Sequence, residues 1–328
     1  QALGNVPDEA SGEYRGNNVL TIQRADEPNT EAWYEQAFDV LRLARAKRPH
    51  PGVDHKVLLE WNACWASALS TAAVWLDRVD WLHEATRILD RLWLGFRRAD
   101  GGLWQVCTDG EYRERATLDG YAHLADATLA QYFGTGDPGM IDRCMALIDE
   151  VYERFWNPDL NAFQLADKHV SHLFASPTEW MDNATPAGTS VLLHVLLSLF
   201  HVSGDVRWWE KYQAVQAIIA GSVASVPTAS TFALRVIRGA TRAHIRILGK
   251  PREEAIREVA QLVRRFPSVK GSVQAPEDHE KWSVLCPDQP RADEPSYIVC
   301  LGQTCLAPLY SLEALMQTLE GFDDPEVG

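Results

Sequence analysis

Four stretches of this chain are apolar on nearly every side, and amphipathic stretches separate them. The first runs from Asp54 to Asp77 (DHKVLLEWNACWASALSTAAVWLD), where Val57, Leu58, Leu59, Trp61, Ala63, Trp65, Ala66, Leu69, Ala72, Ala73 and Leu76 cover more than one helical face. A helix apolar nearly all round is a buried helix. Its first turns still carry Lys56, Glu60 and Asn62, and polar groups on a buried helix must be satisfied or face a cavity. The pattern predicts an inner helix of a helical barrel, with its N-terminal end at the mouth. The design recurs at Thr117–Phe133, at Ala187–Val202 and in a helix opened by Pro227 and running to about Arg242. Between them, Val79–Phe96, Pro138–Phe155 and Val206–Ser222 are apolar on one face and read as outer helices. Inner and outer helices in alternation, with short returns at one end and long loops at the other, predict a mainly α protein built as an α/α toroid. No fixed-period repeat is visible, which argues against a regular solenoid.

The remaining segments fit around this frame. Residues 1–29 are polar, with Gly, Pro and Asn throughout, and read as an extended arm in which Asn18–Gln23 is one short strand. Asn29 or Thr30 caps a helix from Glu31 to Lys47, which the Pro49–Gly52 stretch ends. Leu103–Cys107 and Glu111–Arg115 flank Asp109-Gly110, a hairpin signal. Gly134 is the expected stop of the second inner helix, and Trp156–Pro186 is a long irregular connection. The tail changes character: β-like His244–Leu248, a charged helix Glu253–Phe266 and β-like Val269–Gln274 predict a parallel βαβ unit. Tyr297–Cys300 is a third strand and Leu312–Leu319 a short last helix. The expected division is therefore an arm at 1–29, toroid hairpins at 30–242, and a βαβ appendage with tail at 243–328.

A formal net charge of −14 argues against nucleic-acid or anionic-membrane partners, because phosphate would be repelled over most of the surface. There is no run of 18 apolar residues, so no transmembrane helix is expected. Six scattered cysteines show no small-domain disulfide framework, so a reducing, cytoplasmic setting is the expectation. Cys300 and Cys305, with Cys286 upstream, make a C-x4-C spacing; buried inert thiols are the default there, with zinc and a redox pair as the weighed alternatives. No cofactor is expected, since the chain holds no G-x-G-x-x-G, Walker A or G-x-S-x-G motif.

The chemistry-bearing residues gather at the starts of the inner helices. Lys56, Glu60, Trp61 and Asn62 belong to the first, Asp119 and Tyr121 to the second, and Asp182, Thr185 and Ser190 to the third. In a toroid these N-termini converge on one mouth, and carboxylates from different helices then face one pocket, as general acid–base chemistry on a sugar requires. Asp or Thr ahead of a helix is equally a routine N-cap. His123, His194 and His201 read as satisfied structural histidines, while His169 and His172 sit in the long loop within reach of a cleft.

These residues also carry a resemblance. ARAKRPHPGVDHKVLLEWN, TLDGYAHLADATLAQYFGTGD, MDNATPAGTSV and YIVCLGQTCLAP resemble, in order and spacing, segments of the YyaL type of thioredoxin-domain-containing proteins, a family that includes spermatogenesis-associated protein 20. The resemblance implies a six-hairpin α/α toroid of the glycosidase and N-acylglucosamine 2-epimerase kind. It also implies that this chain is a C-terminal portion, because members begin with a thioredoxin domain and the first toroid hairpins. The family's paired Asp in LDDYA is Asp119-Gly120 here, and its DGA-x-PSGNS becomes Asp182-Asn183-Ala184 with Ala187 and Thr189.

Two functions follow as expectations. The first is a carbohydrate-active protein, an epimerase, isomerase or glycoside hydrolase in type. It uses Asp119 and Asp182 as acid–base carboxylates, Trp61 and Tyr121 as stacking walls, Lys56, Glu60, Asn62 and Ser190 as further substrate contacts, and no metal. The alternative is a non-catalytic part of a toroid acting as a subunit or scaffold, with another polypeptide or a second copy completing the ring.

Overall fold

The computed structural model describes residues 3–5, 20–22, 31–170, 176–286 and 294–322. They fall into two compact units, Gln1–Asp54 and His55–Gly328. In the first unit, β1 (Leu3–Asn5) pairs antiparallel with β2 (Leu20–Ile22), and α1 spans Glu31–Ala46. Asn29 and Thr30, expected to cap that helix, lie outside the described residues.

The second unit opens with β3 (Val57–Leu58), which pairs with β4 (Trp104–Thr108); β4 in turn pairs with β5 (Glu111–Arg115). Asp109 and Gly110 both take positive φ, 51° and 83°, and close the hairpin as the sequence suggested. The inner helices are α2 (Leu59–Leu76), α4 (Leu118–Thr135), α6 (Gly188–Ser203) and α8 (Thr231–Gly239). The outer helices are α3 (Val79–Gly95), α5 (Pro138–Phe155) and α7 (Val206–Ser225). α2, α4 and α6 each pack on the outer helix that follows and on the next inner helix, in the order α2, α4, α6, α8. The chain is thus mainly helical and forms an arc of α/α-toroid hairpins. Lys56, expected in the first turn of the inner helix, precedes it on the strand side, because the pairing of Val57 with Cys107 delays the helix start.

The returns after α4 and α6 repeat one chemical solution. α4 ends at Gly136 (φ 68°) and α6 at Gly204 (φ 69°), each returning its N–H to the carbonyl four residues back, Tyr132 and Phe200. The left-handed position favours glycine, so Gly136, not Gly134, is the stop, although Asp77 (φ 56°) takes the same position at the end of α2. Asp137 and Asp205 then cap α5 and α7 by accepting the N–H of Gly139 and Arg207, each at 2.9 Å. Thr135 and Ser203 brace the turns from inside, their hydroxyls accepting the N–H of Asp137 at 3.3 Å and Asp205 at 3.2 Å.

Burial tracks position along the arc. α4 and α6, in the middle, are buried along most of their length, whereas α2 leaves Trp61 62%, Trp65 57% and Leu76 61% exposed. The expectation that every inner helix would be more buried than every outer one therefore fails at the ends: α2 and α8 have an inner neighbour on one side only within this unit.

Two short strands, β6 (Trp156–Asn157) and β7 (Ala162–Phe163), pair within the long connection. In the tail, β8 (Ala243–Leu248) and β9 (Lys270–Gln274) pair in parallel around α9 (Arg252–Arg265), a βαβ unit. α10 (His279–Leu285) follows; β10 (Ser296–Leu301) then joins β8 antiparallel, and β11 (Thr304–Cys305) joins β10, giving the order β11-β10-β8-β9. α11 (Leu312–Glu320) closes the described chain. One face of this sheet builds its own core with α9 and α11 through Ile245, Ile247, Val259, Leu262 and Leu315. Cys300 and Cys305 form a disulfide, so the expectation of two inert thiols is corrected: the hairpin register sets them directly opposite each other.

Candidate functional site

Three inner helices carry a ladder of polar residues at helical spacing, part of it in the wall of a cavity and that of α6 against the tail sheet. On α4 it is Asp119, His123 and Asp126, spaced i, i+4, i+7, which puts all three on one helical face. On α2 it is Glu60, Cys64, Ser67 and Thr71, and on α6 it is His194, Ser198 and His201. A cavity of about 580 Å³ lies between the helices, with Cys64, Ser67, Thr71, His123, Asp126 and Phe232 in its wall.

At the upper end, Asp119 Oδ1 accepts the Gly188 N–H at 2.7 Å. That amide is one of the unpaired donors at the start of α6. Gly188 has to be glycine for this approach, since a Cβ there would sit 2.5 Å from Asp119 Oδ1. Burial pushes the Asp119 carboxyl up to about 6, the nearby Glu60 adds to the rise, and the Gly188 amide and His123 oppose it. Glu60 Oε1 accepts the Thr185 hydroxyl at 2.8 Å and lies 3.9 Å from His123 Nε2. His123 Nε2 is 3.0 Å from the Pro186 carbonyl, and its Nδ1 is 3.3 Å from Cys64 Sγ. A carbonyl only accepts, so Nε2 carries the proton and Nδ1 accepts the Cys64 S–H. Burial, with Glu60 and Asp126 close by, pushes that thiol up to about 12, so it is a hydrogen-bond donor and not a thiolate nucleophile.

At the lower end, Asp126 joins two helices. Its Oδ2 accepts the Ser67 hydroxyl at 2.8 Å, and its Oδ1 lies 2.8 Å from His194 Nδ1. His194 Nε2 is 2.7 Å from Lys270 Nζ on β9. An ammonium only donates, so Nε2 is the bare nitrogen and Nδ1–H donates to Asp126. Burial raises the Asp126 carboxyl, but the hydrogen bonds from His194 and Ser67 outweigh it and hold the group down at about 2. Burial, together with the Lys270 charge, lowers His194, which stays neutral. The ladder therefore carries a proton-exchanging carboxyl at its top and a fixed carboxylate at its bottom.

Of the residues singled out from sequence, Asp119 and Glu60 belong to this ladder. Asp182 holds a different position: Oδ1 accepts the Ala187 N–H at 3.1 Å and Oδ2 the Phe232 N–H at 2.8 Å, so one carboxylate ties the starts of α6 and α8 together. Tyr121 and Ser190 are buried away from the cavity wall; the Tyr121 hydroxyl accepts the Leu103 N–H at 2.8 Å and its ring meets Phe155 on α5. Asn62 donates to the Leu58 carbonyl at 2.8 Å, within its own turn. Trp61 and Lys56 are exposed and do not line the cavity. His169 Nδ1 pairs with Asp167 at 2.7 Å, and His172 lies outside the described residues. Cys64, Ser67, Asp126 and Lys270 were not read as site residues. The first three were legible as the i+4 and i+7 steps from Glu60 and Asp119; Lys270 comes from the tail, and no local pattern points to it.

Among the described residues no cluster of His, Cys, Asp and Glu is arranged to hold a metal ion, and no helix is long and apolar enough to cross a membrane.

An arc of toroid hairpins around an acid–histidine ladder is the class that the fold and site define. No family model matches the chain. The resemblance read from its motifs holds over nearly its whole length: it is 23% identical to human spermatogenesis-associated protein 20 over 339 residues, 93% of this chain and 43% of that protein. It is also 23% identical to an uncharacterized protein of Caenorhabditis elegans over 347 residues, 97% of this chain and 47% of that protein. The chain thus spans about half the length of the curated relatives it matches. Among solved structures it is similar to a GH76 alpha-mannanase of Bacteroides thetaiotaomicron, with a TM-score of 0.43 and 15% identity over 60% of this chain and 56% of that one.

Proposed function

We propose that the concave cavity binds a small carbohydrate and that Asp119 exchanges protons with it. One observation carries the reading. Asp119 and Asp126 stand on the same face of α4, Asp126 in the cavity wall and Asp119 one turn beyond the wall residue His123, and their surroundings push them apart, to about 6 and about 2. Two carboxyls separated in this way can divide the roles of acid–base group and fixed negative charge. His123, Cys64, Ser67 and Thr71 add hydrogen-bonding groups that suit hydroxyls, and Phe232 adds an aromatic face. In this reading Asp182 positions the α6 start that supplies the Gly188 amide. Epimerase, isomerase and glycosidase chemistry all draw on a proton-exchanging carboxyl. The test is a panel of mono- and disaccharides offered to the full chain at several pH values. Turnover, or binding, that follows a group titrating near 6 and is lost in Asp119→Asn is the supporting result. Carbohydrate handling indifferent to Asp119 removes it.

A second reading rests on a separate observation. The edge of α2 leaves Trp61 and Trp65, one turn apart, more than half exposed, a pair that a further helix would cover. In this reading the chain is one part of a larger toroid, completed by another polypeptide or a second copy. Size-exclusion with light scattering decides: a stable monomer with no partner-dependent change in Trp fluorescence removes it.

A further inference from the structure

We infer that the Cys300–Cys305 disulfide is a thiol–disulfide exchange site, with Cys305 the sulfur attacked and Cys300 the leaving group held by Arg246. The inference is independent of the carbohydrate reading. Cys300 on β10 and Cys305 on β11 face each other across the hairpin, and the two sulfurs differ in surroundings: Cys300 is buried and Cys305 is exposed. Arg246 on β8 points its guanidinium at the bond, with Nη2 3.5 Å from Cys300 Sγ and 3.6 Å from Cys305 Sγ. Among the described residues the Arg246 side chain has no carboxylate partner. It is 6% exposed, and its Nε and Nη1 are buried without a hydrogen-bond acceptor. A buried guanidinium without a counter-charge is costly, and a disulfide sulfur is a poor acceptor for it. A thiolate would supply what is missing.

The reaction balances with a dithiol as reductant. One thiolate of the dithiol attacks Cys305 Sγ, the exposed end; the Cys300–Cys305 bond breaks, and its electron pair leaves on Cys300 as a thiolate beside Arg246. The second thiol of the reductant, once deprotonated, attacks the mixed disulfide at its own partner sulfur. That releases Cys305 as a thiolate, which takes up a proton, and leaves the reductant as a disulfide. Two electrons and one disulfide are exchanged, and nothing else is consumed. A cation next to the leaving sulfur favours both departure and the reduced state.

The site makes no claim on Cys64, Cys144 or Cys286, whose thiols burial pushes up.

The test is equilibration of the full chain in dithiothreitol redox buffers, with the Cys300–Cys305 peptide quantified by alkylation and mass spectrometry. Arg246→Met is expected to lower the reduced-to-oxidised ratio at fixed buffer at least tenfold, and Arg246→Lys to restore most of it. An unchanged ratio in folded Arg246→Met overturns the inference. Where Arg246→Met fails to fold, single-cysteine chains decide. Cys300→Ser should form a persistent glutathione adduct on Cys305, and Cys305→Ser should form none on Cys300 within the same time. Equal adduct formation on both sulfurs overturns the assignment of attacked and leaving sulfur.

Discussion

Asp126 and His194 face each other across 2.8 Å between α4 and α6, and the Lys270 ammonium on the far side of the ring fixes the imidazole so that its Nδ1–H points at the carboxylate. This pair joins two neighbouring inner helices with a charge-assisted hydrogen bond at the cavity floor, and the tail sheet reaches it through one lysine. It predicts a specific acid response. A carboxyl held near 2 when folded and near its ordinary value when unfolded contributes stability that is complete above about pH 4 and is lost as pH falls toward 2. Asp126→Asn should cost about 1–3 kcal/mol at neutral pH, and the difference from the parent should shrink between pH 4 and 2. Urea unfolding at a series of pH values measures both.

Asp119 has the opposite sign. Its folded value of about 6 lies above its unfolded one, so the folded chain binds the extra proton between about pH 4 and 6 and stability falls as pH rises through that window. Asp119→Asn removes the titration at nearly constant volume and keeps an oxygen for the Gly188 amide. Relative to the parent it should gain up to about 3 kcal/mol across that window, while losing carbohydrate turnover. A parallel pair of melting curves at pH 4 and pH 7 is the check.

Gly188→Ala is a substitution that helix propensity alone favours, by roughly 1 kcal/mol. Here the added Cβ meets the Asp119 carboxyl at 2.5 Å and its backbone at 3.1 Å. The expected result is a net loss of stability together with a lower Asp119 titration midpoint, since the carboxyl is displaced toward solvent. Carboxyl carbon chemical shifts followed against pH would show it.

Asp182→Ala removes the side-chain acceptors of two backbone N–H groups at once, at the starts of α6 and α8. A cost of about 2 kcal/mol is expected, near the sum of two caps. Hydrogen exchange should rise at Ala187 and Phe232 first, with the Asp126–His194 pair unaffected.

The helices were legible because burial is written into periodicity. α4, α5 and α6 fall within two residues of the segments read from sequence, since apolar positions in those stretches continue until a Gly or Asp stops them. The ends of the arc were less legible. α2 is as apolar as a fully buried helix, yet Trp61 and Trp65 are more than half exposed, because sequence cannot say which neighbours a face has. At the site, Asp119 and Glu60 stood out by breaking an apolar run near a helix start. Asp126 breaks the same run two turns later, away from the helix start, and only the neighbours Ser67 and His194 mark it as part of the site. Tyr121 shares the local string with Asp119, but the 3.6-residue period turns it toward Phe155 and the Leu103 amide. Lys270 reaches His194 from 76 residues away, and only the sheet's packing against the helices reveals that contact.

The central claim is that this cavity holds a carbohydrate, and saturation-transfer NMR on the full chain tests it most directly. The comparison is between the parent and Ala68→Trp, an exposed position on the cavity wall where an indole fills the space without entering the core. The account predicts sugar signals with the parent that vanish in Ala68→Trp while both chains melt alike. Sugar signals equal in the two chains, or none from the parent across the panel, would contradict it.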